Sequence, residues 1–384
     1  MRQLALLLMM AASLLPATHA TLSVTADTDA ATWPHSVQPF FLSALNAELT
    51  AADAAYLGRL PVVVINHKQR GPANHAEANQ LNALARVKEA NSSCTTFFYL
   101  NSQIDFGALA LHGEFVANGS WWLRTDAGAF VLHGSDHIFD WSVPAARSAW
   151  LAAAQHAMSQ PFVSGVFVDK AGGFGAKGVR TQRLRAWTRG HAQLLDALGA
   201  AAAAAKKQLI FNNNGIAGMS GQLFERWGAK EDHDGLSTQQ DLELLENATS
   251  PSNAGQLQLA RAGGVAPGSV NGSIAEVCAA GLAAMLLAVA SPNSAYFACM
   301  PDFNVIHGWM DLDKNMIYQQ YLGAPQGKAV VGDNGLITRT FAGAKVSLNV
   351  SAFVQTRNPT DAGLNRGCIE WASGETSGVC PSAE

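Results

Sequence analysis

Residues 161–171 read PFVSGVFVDKA, and the fold is decided there. Taken as a strand over 163–169, alternation sets Gly165, Phe167 and Asp169 on one face and Ser164, Val166 and Val168 on the other. Both faces are small or apolar, the pattern of a parallel strand covered on two sides. The run ends in one carboxylate, Asp169, before the glycine-rich segment AGGFGAKG. An acid at the last position of such a strand stands where buried sheet meets solvent, the rim on which barrel folds carry their reacting groups. An Asp that merely starts a loop is the competing reading.

Similar apolar runs recur at 39–45, 61–66, 95–101, 208–212, 222–225, 256–261 and 295–300. Between most of them lie Ala/Leu-rich segments with helical spacing, at 77–90, 145–158, 181–198, 237–246 and 273–289. Strands separated by helices imply parallel βαβ units. Eight of them over about 260 residues match the number and size of a (β/α)8, or TIM, barrel. An open doubly wound sheet is the alternative. It would more often place a Gly-rich turn after its first strand, and FFLSALNAEL (40–49) has none. Beyond about residue 321 the runs GLITRTF, GAKVSLNV and CIEW predict a small antiparallel β appendage. The expected organisation is a leader over 1–20, an α/β barrel over 21–320, and the appendage with its tail over 321–384.

At 384 residues and 48% hydrophobic, the chain can bury one large domain plus an appendage. A net charge of -4 with 14% charged residues gives no basic footprint, so neither nucleic acid nor a membrane surface is an expected partner. Residues 1–20, MRQLALLLMMAASLLPATHA, have an early Arg2, an apolar core and small residues ahead of a cut after Ala20. That is the layout of a secretory signal peptide, with a core too short to span a bilayer. Sequons at Asn91, Asn118, Asn247, Asn271 and Asn349 agree with passage through a secretory route and with a glycoprotein outside the cell or in the pathway lumen. In an oxidising compartment Cys368 with Cys380 reads as a disulfide closing the tail, and Cys278 with Cys299 as a second across a helix and the next strand. Spacing alone does not fix the connectivity; Cys94 is expected as a buried thiol.

The chemistry gathers at strand ends. The run 208–212 leads into Asn212-Asn213-Asn214-Gly215, with Asn212 and Asn214 on one face toward the opening that Asp169 lines. In GQLFERWG (221–228) Glu225 ends a short apolar run two strands away from Asp169. Backbones two strands apart are ~9–10 Å from each other, compatible with two carboxylates flanking a glycosidic bond. That leaves both the ~5–5.5 Å retaining and ~6.5–9.5 Å inverting spacings open. Residues 102–144 are too long for a βα connection. Within them WWLRTDAGAFVLHG (121–134) reads as two short strands about the turn Asp126-Ala127-Gly128. Trp121 and Trp122 there either stack on sugar rings or pack the insertion onto the barrel. In FDWSVPAARSAW, Asp140 or Ser142 is placed to cap a helix with Pro144 in its first turn. The candidate sugar contacts are Asn212, Asn214, His67, Lys68, Tyr99 and Trp122. His67, His112, His133, His137 and the run EDHDG (231–235) form no HxH or HExxH spacing, so no metal or other cofactor is expected. The absence of a GxSxG elbow disfavours a serine nucleophile.

The order FYLNS, WWLRTDAG, FDWSVPAARSAW, SGVFVDKA, IFNNNG, QLFERW, YLGAPQG and TRTFAGAKVSLNV resembles the glycoside-hydrolase-like TIM-barrel proteins, in particular hypothetical glycosyl hydrolase family fifteen. It is more distantly similar to the endo-α-1,4-polygalactosaminidase-type barrels. The resemblance runs over residues 38–372 and implies a catalytic pair of the acid ending the fourth strand and the Glu ending the sixth. Here those positions are Asp169 and Glu225. The sequence departs from the pattern in having Lys170 directly after the Asp, and an adjacent ammonium favours the ionised carboxylate of a nucleophile or base. Apolar Phe224 and Trp227 beside Glu225 suit a proton donor. The expectation is a secreted hydrolase acting on a polysaccharide or glycan; a barrel that binds glycans without cleaving them is the alternative.

Overall fold

The computed structural model describes residues 36–45, 47–73, 75–212, 220–225, 245–250, 253, 256–262, 274–290, 295–299, 312, 316–332, 336–349 and 367–380. The chain begins β1 (Phe40–Ser43), α1 (Ala51–Leu57), β2 (Val62–Ile65), α2 (Ala76–Ala90) and β3 (Thr95–Asn101). An insertion follows with β4 (Ile104–Asp105), α3 (Leu111–Ala117), β5 (Leu132–His133) and β6 (Asp136–Ile138). The regular alternation resumes with α4 (Pro144–Met158), β7 (Gly165–Asp169), α5 (Thr181–Ala205), β8 (Gln208–Asn212), β9 (Gly221–Glu225), β10 (Leu257–Ala262), α6 (Ile274–Ala288) and β11 (Ala295–Cys299). The appendage carries β12 (Val330–Val331), β13 (Leu336–Thr340), β14 (Ala344–Asn349), β15 (Gly367–Trp371) and β16 (Thr376–Gly378).

Eight parallel strands form one sheet in the order β1-β2-β3-β7-β8-β9-β10-β11, so all eight predicted runs are barrel strands. The sheet closes on itself where Pro39 bridges Phe297 and the Phe297 N–H donates to the Gln38 carbonyl at 2.8 Å. Short runs such as VVVI in β2 are buried at every position, as strands covered on both faces must be. The Thr50–Asp53 capping box starts α1, and α5 runs on past the expected end through six alanines, the best helix formers, to a left-handed Lys206. Pro144 takes the first turn of α4 as predicted, but Val143 is the N-cap and makes no side-chain bond. Asp140 is instead turned to Ser142 and to Arg183 at 3.1 Å. The predicted helix at 237–246 and the leader lie largely or wholly outside the described residues.

The insertion builds a three-stranded antiparallel sheet, β4-β6-β5. The expected turn at 126–128 forms, with Gly128 at φ 87° and an Arg124–Phe130 bridge behind it. The predicted pairing about that turn is present as the Thr125 N–H on the Ala129 carbonyl and the Val131 N–H on the Leu123 carbonyl, at 2.7 and 2.9 Å, and a second hairpin, β5–β6, follows over 132–138. The appendage is a five-stranded antiparallel sheet, β12 to β16 in sequence order, packed on α6 through Ile369, Val346 and Leu282. Two disulfides join Cys278 to Cys299 and Cys368 to Cys380, with Cα atoms 5.5 and 4.6 Å apart; Cys94 is a buried free thiol. Among the described residues no helix is long and apolar enough to cross a membrane.

Candidate active site

Parallel register brings the polar strand ends to one level. Asn101 on β3 is the partner of Asp169 on β7, and Glu225 on β9 is the partner of Arg261 on β10. Asn212, the last residue of β8, lies between the two acids. Its Nδ2 donates to Asp169 Oδ1 at 2.7 Å and to Glu225 Oε2 at 2.8 Å. Those two carboxylate oxygens therefore stand no farther apart than the 5.5 Å path through that nitrogen. An amide NH2 has two donors diverging by about 120°, which sets the gap near ~4.8 Å.

Asp169 is half-buried inside a set of donors. Oδ1 also accepts the Lys170 backbone N–H at 2.8 Å, and Oδ2 accepts the Tyr99 hydroxyl at 2.5 Å and Asn101 Nδ2 at 3.0 Å. Burial, and then the Glu225 carboxylate, push the Asp169 carboxyl above its usual range, against the opposing bonds from Tyr99 and Asn212 and the charge of Lys170. Lys170 favours the ionised carboxylate, as expected, but burial outweighs it. Burial and the adjacent Asp169 hold Tyr99 well above the ordinary phenol range, so it stays a donor. Glu225 keeps a quarter of its side chain exposed and meets the fully buried Arg261, with Nη1 3.3 Å from Oε1.

The remaining sequence candidates divide. Tyr99 is 5% exposed and fastened to Asp169, a support beneath the acid rather than a surface for sugar. His67 lies beside it, ring centroids 5.1 Å apart, stacked on Phe106 at 3.8 Å. Burial, then Lys68, lower His67 to about 4, so the ring is neutral at neutral pH, and its buried Nδ1 has no bonding partner among the described residues. Lys68 is exposed at the same strand end. Asn214 lies outside the described residues, as do Asn213, Trp227 and the EDHDG run.

Trp122 is corrected from a sugar platform to a packing residue. It is 8% exposed, donates Nε1 to Asp105 Oδ2 at 2.7 Å, and has His137 stacked on its ring at 4.1 Å. Its neighbour Trp121 is partly buried edge-on to Phe115. Among the described residues no group of three His, Cys, Asp or Glu side chains could hold a metal ion. Two members of the site went unpredicted, Asn101 and Arg261. Alternation gave a signal for the second: in LQLARA, Arg261 shares a face with Leu257 and Leu259, and a charge on the inner face of a barrel strand needs a partner.

The family model described as hypothetical glycosyl hydrolase family 15 matches residues 88–345. Among solved structures, the glycoside hydrolase domain of PelA from Pseudomonas aeruginosa is 16% identical, with 71% of this chain and 97% of that one aligned at a TM-score of 0.47. An alpha-L-fucosidase isoenzyme 2 from Paenibacillus thiaminolyticus is 13% identical over 74% of this chain and 49% of that one, at a TM-score of 0.49. No curated protein matches the chain.

Proposed function

The chain belongs to hypothetical glycosyl hydrolase family 15, and from that premise we propose that it cleaves a polysaccharide or glycan by a retaining two-carboxylate mechanism. The observation that carries the reading is the Asn212 amide bonded to both acids, which holds the bonded oxygen of one within 5.5 Å of the bonded oxygen of the other. Retaining enzymes space their carboxyl groups at about 5–5.5 Å, whereas inverting ones leave about 6.5–9.5 Å for a water.

Asp169 is the nucleophile. Four donors occupy the acceptor positions of its two oxygens, so a proton on it would have to displace one of them. Glu225, with two side-chain contacts and part of its surface open, is the acid and then the base. In the first step Glu225 gives its proton to the glycosidic oxygen as that bond breaks, while an Asp169 oxygen bonds the anomeric carbon. In the second, Glu225 takes a proton from water, the water oxygen bonds the same carbon, and Asp169 leaves as carboxylate. His67, Lys68 and Asn214 are the proposed sugar contacts at the rim. The leader over 1–20, the two disulfides and the exposed asparagines of two sequons, Asn91 and Asn247, support export through an oxidising compartment.

Reducing-sugar release from a polysaccharide panel tests the activity, with Asp169→Asn and Glu225→Gln each expected to lose at least ~100-fold while keeping the fold. A 2-fluoro glycoside should leave its added mass on the Asp169 peptide, and NMR of fresh product should show the starting anomer. Full activity in either variant refutes the assignment. Glycan binding with no release by the unaltered protein leaves a binding barrel instead.

A further inference from the structure

Lys170 has φ 57°, a left-handed conformation that costs a non-glycine residue roughly 1–2 kcal/mol. The other described non-glycine residue with positive φ is Lys206, which ends α5. Lys170 ends no helix; it follows Asp169 and turns its N–H onto the Oδ1 of that same carboxylate at 2.8 Å. A strained conformation persists only where its surroundings over-determine it.

Those surroundings are specific. The Lys170 carbonyl accepts Gln103 Nε2 at 2.7 Å and Ser102 Oγ at 2.8 Å. Gln103 Nε2 also donates to the Gly172 carbonyl at 2.9 Å, spanning the start of the glycine-rich segment. Ser102 Oγ is in turn 3.0 Å from Nε2 of His191 on α5, a buried ring between Trp141 and Trp187. With the serine proton given to a carbonyl, Nε2 of His191 carries the hydrogen of that contact. Burial lowers His191 to about 4, so this neutral arrangement holds throughout the neutral range. Trp141 Nε1 fixes the Ser102 carbonyl at 2.6 Å. No group in this assembly other than the Lys170 N–H touches the carboxylate.

We propose that Gln103, Ser102 and His191 are positioning residues: they hold Lys170 left-handed so that its backbone N–H stays on the carboxylate of Asp169. The inference rests on the reading of Asp169 as nucleophile for its catalytic meaning, but the brace itself can be tested without a substrate. Among the described residues, the titratable groups that face Asp169 are Tyr99 on β3, Glu225 on β9 and the Lys170 ammonium; Asn101 and Asn212 are its neutral donors. Losing the N–H removes a bond to the charged form, so the Asp169 carboxyl should then titrate at higher pH.

The test is carbodiimide–amine labelling of Asp169 followed across pH by peptide mass spectrometry. Gln103→Ala should move the labelling midpoint upward. In a Lys170→Gly background, where glycine enters the left-handed region without help and the ammonium is already gone, Gln103→Ala should no longer move it. Gln103→Met, which loses the Nε2 donor but keeps the length without adding a charge, should behave as Gln103→Ala. A midpoint that stays put in Gln103→Ala, or one that Gln103→Ala moves just as far in the Lys170→Gly background, overturns the brace. Activity surviving Asp169→Asn would instead overturn the nucleophile and leave the brace standing, so the two failures are distinguishable.

Discussion

Replacing Tyr99 with phenylalanine removes one hydroxyl from a buried position and leaves the ring packed against Phe167 at 5.8 Å. Asp169 Oδ2 then keeps Asn101 alone. A hydrogen bond to a charged group contributes about 1.5–3 kcal/mol net, and one between neutral groups about 0.5–1.5. The loss should therefore depend on whether Asp169 is ionised. Burial already raises this carboxyl above its unfolded value, and the Tyr99 bond opposes that rise, so Tyr99→Phe raises it further. A carboxyl raised in the folded state contributes stability that is whole below its unfolded pKa and is lost as pH climbs through the folded one. The variant's deficit should thus be about 1 kcal/mol in acid, where Asp169 is protonated, and grow to roughly 2–3 kcal/mol near neutrality. That larger figure is a 30- to 150-fold change, on the order of magnitude set by ~1.4 kcal/mol per decade, in the folding equilibrium. Urea unfolding of the two proteins at a series of pH values measures it. A deficit that is flat with pH, or greater in acid than at neutrality, refutes the account of Asp169 given above. The same reasoning moves the acid limb of any pH–rate profile to higher pH in Tyr99→Phe.

Three further outcomes follow from the coordinates. Opening Cys278–Cys299 or Cys368–Cys380 by serine substitution, over separations of 21 and 12 residues, should each cost about 3 kcal/mol by loop entropy, read as a lowered urea midpoint; equal midpoints would deny the bridges. Gly190→Ala puts a methyl 1.8 Å from the Trp141 carbonyl oxygen, so α5 must shift, at a cost of about 1–3 kcal/mol or more. An unchanged melting temperature would contradict the close approach of α5 to the insertion. Trp122→Phe keeps a ring but strips a donor from buried Asp105, and should lower stability by ~1–3 kcal/mol while leaving glycan affinity alone. Lost affinity at unchanged stability would return Trp122 to the role of a sugar platform.

The barrel was legible because each strand announces itself locally. VVVI, GVFVD and QLIFN are short, apolar and punctuated, and their parallel pairing follows from the helices between them. Asp169, Asn212 and Glu225 could be brought to one rim by counting strands, since position on a strand fixes depth in the barrel. What the counting could not give was the layer beneath. Tyr99 reads as an aromatic near an opening, yet its hydroxyl is committed to an acid seventy residues away. Trp122 looked exposed because its segment is irregular, and Asp105, which claims its indole, lies in a different short strand. Alternation could place Arg261 on the inner face but could not name its partner, Glu225, 36 residues away. Contacts between distant segments carry these roles, and neither composition nor period reports them.

Around the ring, adjacent strands pair over three residues or more, but β11 meets β1 among the described residues through the Pro39–Phe297 bridge and its backbone bond. The circle therefore has a clasp, and a clasp is where it parts first. Thermal breathing should begin there and show as early amide exchange at Phe297, restrained on one lip by the tie of Cys299 to α6. The wall from β7 to β9 lies half a circumference away. Fluctuations at the clasp are thus kept farthest from the one place where a tenth of a nanometre would matter.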